Sequence, residues 1–340
     1  MLIRSKAPLR LGLAGGGSDV SPYSDIFGGA ILNATISMYA YTTIEPRNDG
    51  KIILHAIDKG ERFEIQSSEI LAMDGNLDLI KGIYNRVVKD FTKKPLSFEL
   101  STYVDAPPGS GLGSSSTLVI AILGAFSEWL NIPMGEYDMA HLAYQIERID
   151  MNMSGGKQDQ YAAAFGGVNF MEFYANDKVI VNPLRVKVQV MQELAHSLVL
   201  YYTETSRLSS QIIEAQQKNV MSNNTNSVEA MHNIKEQALR MKEALLKGEL
   251  NQIGEIMDFG WRNKKKMAEG ISNPWIDEVY EAALKSGATG GKVSGAGGGG
   301  FMFFYCPGNS RHKVIKTLES FGGQVKRYEF TDRGLSSWII

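Results

Sequence analysis

The sequence has a single cysteine, Cys306, in 340 residues. No internal disulfide can brace the chain, and the thiol sits in an apolar, strand-like run that reads as buried core rather than as a nucleophile. Charge of one sign is not in excess: 35 Lys and Arg stand against 37 Asp and Glu. That balance excludes a polyanion-binding surface, so nucleic acid and anionic lipid are not expected partners. Long apolar runs are missing as well. The longest, Leu118 to Phe126, is too short to span a bilayer, and Arg4, Lys6 and Arg10 interrupt the N-terminal stretch where a signal segment needs an apolar core. The expectation is a cytoplasmic protein with no membrane partner. The sequence also lacks a repeat of fixed period and a low-complexity linker.

What is present is a change of period along the chain. Residues 31–46, KIILHAI, RFEI and SFELSTYV alternate as strands, separated by turn residues such as Asn48-Asp49-Gly50. After Pro108 the spacing turns helical, with Leu118, Ile122, Ala125, Phe126 and Trp129 on one stripe and Asn131-Ile-Pro133 as its stop. A second helix over about 135–150, a short helix at 161–165 and the strand VNFMEF follow. From about residue 186 the pattern is a strand (HSLVLYYT), four helical stretches near 206–219, 226–247, 249–268 and 274–286, the run GKVSGAGGGGFMFFY, and a last helix–strand pair. The chain is long for one core. The pattern predicts an α+β fold of two lobes, 1–185 and 186–340, rather than the regular βαβ alternation of a Rossmann sheet.

The stretch PPGSGLGSSST, residues 107–117, stands in front of the first long helix. Gly109, Gly111 and Gly113 let the backbone turn its amides inward, and Ser114, Ser115 and Ser116 occupy the first helical turn, where unpaired N–H groups and the helix dipole favour an anion. A turn with serine caps is the other reading of the same residues. Neither common phosphate motif applies. The dinucleotide fingerprint fails at Ser114, and Gly291-Lys292 is followed by Val293 where a P-loop needs Ser or Thr. The run from Gly295 to Gly300 leads into a strand, not a helix. Glu147 and Asp159, separated by a Ser-Gly-Gly turn, supply the carboxylates that Mg2+ and an acceptor hydroxyl require near a triphosphate. APLRLGLAGGGSDV adds Arg10 and Asp19.

In this order, APLRLGLAGGGSDV, PPGSGLGSSST and GGKVSGAGGGGFMF resemble the three motifs of the GHMP kinases, and with GGKQDQYAAAFGG the resemblance covers roughly residues 3–305. It implies an N-terminal domain of the ribosomal S5 type and a C-terminal ferredoxin-like domain, with ATP and substrate between them. It also implies ATP phosphates on Pro108, Gly109, Ser110, Gly111, Leu112, Gly113, Ser114, Ser115 and Ser116. Ser115 and Glu147 would be the Mg2+ ligands, Asp159 would face the acceptor hydroxyl, and Arg10 would be the basic catalytic residue. Gly16, Gly17, Ser18 and Asp19, together with Gly297 and Gly298, fall on the substrate side.

The departures bear on the substrate. GGGSDV replaces the GEHTDY of many members, and Ser116 stands where Ala is usual. With YYTETSRLSS, these forms resemble sugar kinases acting on the anomeric hydroxyl, above all of heptose 7-phosphate and less closely of fucose. A sugar phosphate needs a second anion site. Thr205-Ser206-Arg207 has the chemistry for it. Lys157 and Lys264-Lys265-Lys266 compete, the lysine run reading first as a solvated helix face. The resemblance also admits a kinase for an unphosphorylated sugar, or a silent sugar and ATP sensor, although a sensor need not keep Ser115, Glu147, Asp159 and Arg10. The sequence leaves the oligomeric state open between monomer and homodimer.

Overall fold

The computed structural model describes residues 1–205 and 209–340. The first half of the chain runs β1 (Ile3–Ala14), α1 (Tyr23–Phe27), β2 (Gly29–Pro46), β3 (Lys51–Ala56), β4 (Glu61–Gln66), α2 (Asp78–Val87), β5 (Phe98–Val104), α3 (Ser114–Leu130), α4 (Glu136–Gln145), α5 (Gln158–Phe165), β6 (Val168–Phe173) and β7 (Val179–Pro183). The second half runs α6 (Val188–Ser197), β8 (Leu198–Tyr202), α7 (Ser209–Met221), α8 (Thr225–Lys247), α9 (Ile253–Lys264), α10 (Pro274–Lys285), β9 (Gly290–Val293), β10 (Phe301–Tyr305), α11 (Arg311–Glu319), β11 (Gln324–Lys326) and β12 (Ser336–Ile339).

Two sheets form. The larger has the order β12-β1-β2-β5-β3-β4, with β6 and β7 branching from β2. The smaller is antiparallel throughout, in the order β11-β8-β10-β9. Numbered along the chain, that is 4-1-3-2 with helices after the first and third strands, the ferredoxin-like arrangement. The expected division at 185/186 falls between β7 and α6, yet the chain afterwards crosses back. β12 pairs antiparallel with β1, and Phe330 bridges to Ile36 of β2.

α3 is apolar nearly all round and is buried accordingly, lying against β1, β2 and the returning β12 of one sheet. Gly124 makes that possible. A Cβ there would stand 2.5 Å from Leu335 Cδ1. Ser337 Oγ donates to Glu128 Oε2 at 2.7 Å, tying the tail to the same helix.

One irregularity places the chemistry. The β1–β2 register shifts between Pro8 and Arg10. Ile3 and Ala7 belong to the core under α3, whereas Leu9, Leu11 and Leu13 belong to a second core shared with α8, α9 and β10. The shift therefore exchanges the faces of the strand, and Arg10 turns toward the glycine loop before α3. Its own N–H leaves the ladder and donates to Leu112 O at 3.2 Å.

Cys306 is fully buried beside β10, and burial pushes its thiol up to about 12. The folded protein is expected to give no rapid reaction with DTNB at pH 8, and one equivalent of thiol after denaturation; fast labelling of the native protein would contradict the burial.

Candidate active site

The glycine loop owes its shape to what holds it from outside. Gly109, Gly111 and Gly113 have φ of 71°, 84° and 78°, the left-handed region that suits glycine. Phe301 N–H donates to Ser110 O at 2.8 Å. Gly111 O accepts from Arg10 Nη1 at 2.6 Å and from Ser294 Oγ at 2.8 Å, and Leu112 O accepts from the Arg10 amide. In a trans peptide the N–H points opposite to the C=O. With three successive carbonyls drawn outward, the amides of Gly111, Leu112 and Gly113 face the other way, as in an anion-binding nest at a helix start.

That loop forms one wall of a cavity of about 510 Å³ between the lobes, lined also by Arg10, Asp19, Asp159 and Lys264. Pro108, Gly109, Gly111, Gly113, Ser114, Ser115 and Ser116 line it. Ser110 and Leu112 do not: both side chains are buried beneath the loop, so of the nine residues expected at the phosphates these two present only backbone.

Asp159 sits in the first turn of α5, which begins three residues earlier than its sequence pattern suggested. Its Oδ1 accepts from Arg10 Nε at 2.7 Å and lies 2.7 Å from Arg10 Nη2. Oδ2 has no hydrogen-bond partner among the described residues. It faces Gly113, where a Cβ would approach it to 3.1 Å. One carboxylate oxygen is thus clamped and the other points at the loop.

Glu147 lies on a π-helical turn, Ile146–Asp150, that continues α4. It is completely buried, one side chain behind the cavity wall. The side chain beside Glu147 is Ser116, whose Oγ donates to Oε1 at 2.9 Å, while Gln160 Nε2 donates to Oε2. Successive residues of a helix point about 100° apart, so Ser115 is exposed at the cavity mouth while Ser116 faces inward. Burial raises the Glu147 carboxyl above its ordinary value, opposed by Arg148 and by these two donors. Arg148 Nη1 is its nearest cation, at 3.8 Å.

Other expected substrate residues divide. Gly17 and Asp19 line the cavity. Asp19 Oδ2 accepts the amides of Lys157 at 2.9 Å and Gln158 at 3.1 Å, and burial raises its carboxyl against those bonds. Gly156 permits this approach, since a Cβ there would fall 1.9 Å from Oδ2. Ser18 is not on the wall. It is fully buried, its hydroxyl engaged with the backbone of Gly15 and Ala30. Lys157 is turned away, its ammonium 2.9 Å from Asp177 and 3.6 Å from Asp25. Gly297 and Gly298 pack on Ile271 instead of the cavity, the latter through an N–H···O bond of 2.8 Å, and Gly295 and Ala296 form the wall in their place. Ser206 and Arg207 lie outside the described residues.

Two contributors, Gln160 and Ser294, were given no role by the sequence, and Lys264 was named only within a lysine run read first as a solvated face. Ser294 gave no signal. Lys264 did, because the buried positions of α9 (Ile253, Ile256, Met257, Gly260, Trp261) continue at helical spacing to Lys264 but not to Lys265 or Lys266.

Gln160→Leu removes the donor to Glu147 Oε2 and strands a buried carboxylate oxygen. The expected loss is about 1–3 kcal/mol of stability, read from urea unfolding; an unchanged midpoint would show the bond to be idle.

The comparisons agree with this geometry. Residues 78–167 match the GHMP kinases N terminal domain, and residues 241–324 match the GHMP kinases C terminal family. The chain is 51% identical over 338 residues to D-glycero-alpha-D-manno-heptose 7-phosphate kinase of Campylobacter jejuni, covering 99% of both. It superposes on the crystal structure of a D-glycero-D-manno-heptose 1-phosphate kinase from Bacteroides thetaiotaomicron with a TM-score of 0.86 and 48% identity, covering 99% of each chain. The L-fucokinase/L-fucose-1-P guanylyltransferase of Bacteroides fragilis is 24% identical across 98% of this chain, which spans 38% of that protein. Full-length identity of this order, with both family segments in their expected lobes, identifies the chain as a member of the GHMP kinases.

Proposed function

We propose that the protein transfers the γ-phosphoryl group of ATP to the anomeric C1 hydroxyl of D-glycero-D-manno-heptose 7-phosphate, giving the 1,7-bisphosphate and ADP, in the cytoplasm as a step toward nucleotide-activated heptose. The observation that carries this reading is the full-length 51% identity to a heptose 7-phosphate kinase.

The residues suit the chemistry. The inward amides of Gly111 to Gly113 and the start of α3 would hold the triphosphate. Asp159 Oδ2, turned toward the loop, would accept the C1 hydroxyl proton as that oxygen bonds to the γ-phosphorus and the bond to the β–γ bridging oxygen breaks. Arg10, holding Oδ1 and the loop carbonyl Gly111 O together, fixes the distance between acceptor and donor and offsets charge. Glu147, a buried carboxylate met chiefly by neutral donors, is the kind of hard oxygen donor that Mg2+ takes, one or two carboxylates at a time, beside substrate phosphates. With Ser115 at the cavity mouth it would hold the ion. Mg2+ would supply charge neutralisation on the phosphates. Arg207 stays the proposed partner of the acceptor's own phosphate.

The deciding experiment offers heptose 7-phosphate, unphosphorylated heptose, fucose and galactose separately, with ADP release as readout and phosphorus NMR of the product. A new anomeric phosphate on heptose 7-phosphate, with weak turnover of the rest, is expected. Preference for a plain sugar would replace this reading with that of an unphosphorylated-sugar kinase. Asp159→Asn should lower kcat by about a hundredfold or more while ATP binding persists; near-normal turnover would remove Asp159 from the reaction.

A further inference from the structure

Lys264 is the last residue of α9, in the C-terminal lobe, and only 3% of it is exposed, yet it lines the cavity. Its ammonium donates to Gly295 O and has no carboxylate within 4.0 Å among the described residues. The neighbouring cations are placed differently. Arg10 is clamped to Asp159, Arg148 lies beside Glu147, and Lys59 is exposed. A second amine lies close by: Lys292 Nζ, also buried, donates to Gly12 O at 2.8 Å. Both approach the bare backbone of Gly16, where a Cβ would stand 3.6 Å from Lys264 Nζ and 3.8 Å from Lys292 Nζ.

Taking an ammonium out of water without a counter-ion is costly, and the cost is relieved when an anion arrives. Burial pulls Lys264 down to about 8; Arg10 adds to the shift, while Asp19 and Asp159 oppose it. Burial, then Lys264 and Arg10, pull Lys292 well below an ordinary lysine. Around this point stand three basic groups and two carboxylates, one of the latter already bound by Arg10, and among the described residues Lys264 is the buried cavity-lining cation left without a carboxylate of its own.

Resting on the sugar-kinase reading above, we infer that Lys264, with Lys292 behind it and Gly16 leaving it uncovered, is an anion subsite that holds a phosphate group in the acceptor half of the cavity. The phosphate is either the one carried by the acceptor or the one being transferred.

Two measurements test the subsite. In the first, the enzyme saturated with ADP, which occupies the glycine loop and leaves the γ position open, is titrated with inorganic phosphate and followed by thermal shift. Phosphate should stabilise the parent and the Lys265→Met control, because Lys265 is half in solvent and paired with Asp277. It should not stabilise Lys264→Met. Retention of the shift in Lys264→Met overturns the proposal, as does loss of stabilisation by ADP itself, which would mark general damage. This arm holds even if no heptose is a substrate.

The second measurement is steady-state kinetics of Lys264→Met with phosphorylated and plain heptose. A rise in KM of about tenfold or more for heptose 7-phosphate alone assigns the acceptor's phosphate. A fall in kcat on both acceptors with KM intact assigns the transferring group. In the parent, acceptor affinity should weaken as pH rises through about 8, where Lys264 loses its proton, and that limb should be missing in the variant. Unchanged constants and an unchanged pH profile would overturn the inference.

Discussion

Three consecutive carbonyls determine this site. Ser110, Gly111 and Leu112 would, left alone, offer their oxygens to any guest in the cavity and repel a phosphate. Each is instead drawn away by a donor from another part of the chain: the Phe301 amide, the Ser294 hydroxyl with the Arg10 guanidinium, and the Arg10 amide. The amides follow by peptide geometry. Two of those donors belong to the C-terminal lobe, so the same bonds that shape the cradle join the lobes. Glycine is required on both sides of the seam, since a Cβ on Gly111 would stand 2.4 Å from Ser294 O and one on Gly295 would stand 2.7 Å from Gly111 Cα.

Arg10 is the residue through which this constraint reaches the chemistry. A register shift in β1 frees its amide from the ladder and turns its side chain from the sheet to the loop. Its guanidinium then spans Gly111 O and Asp159 Oδ1. The planar fork suits a role that a lysine could not fill in the same way, because several N–H groups must point in fixed directions at once. Loop, acid and strand are thus referenced to one another by one side chain that is 3% exposed.

The loop and α3 were legible because glycine spacing and a switch of period from two to 3.6 are local signals. Asp159 and Arg10 were each singled out by the resemblance, but not that the two side chains would pair. What was not legible depends on tertiary orientation. Nothing local tells that Ser116 rather than Ser115 turns inward, that Ser18 spends its hydroxyl on backbone, or that Lys157 finds Asp177. α2 carries a helical stripe interrupted by Gly82 and preceded by turn-rich residues, and α6 adjoins a strand without a stop, so neither stood out. The strand Ser336–Ile339 is four residues long and half exposed, too short for alternation to register. In α9, by contrast, the helical stripe distinguishes Lys264 from its neighbours, and only its continuation into a charged run hid it.

The return of the tail to β1 carries a consequence for how the molecule is made. Translation delivers β1 first and β12 more than 300 residues later, after every strand of the ferredoxin-like sheet. Until then the outer edge of β1 presents unpaired backbone groups, and the groove on α3 that receives Leu335 is open. An unpaired strand edge is the feature that nascent and partly folded chains must shield from one another. The N-terminal lobe is therefore completed only once β12 has been made, after the ferredoxin-like sheet, although the glycine loop it holds is encoded earlier.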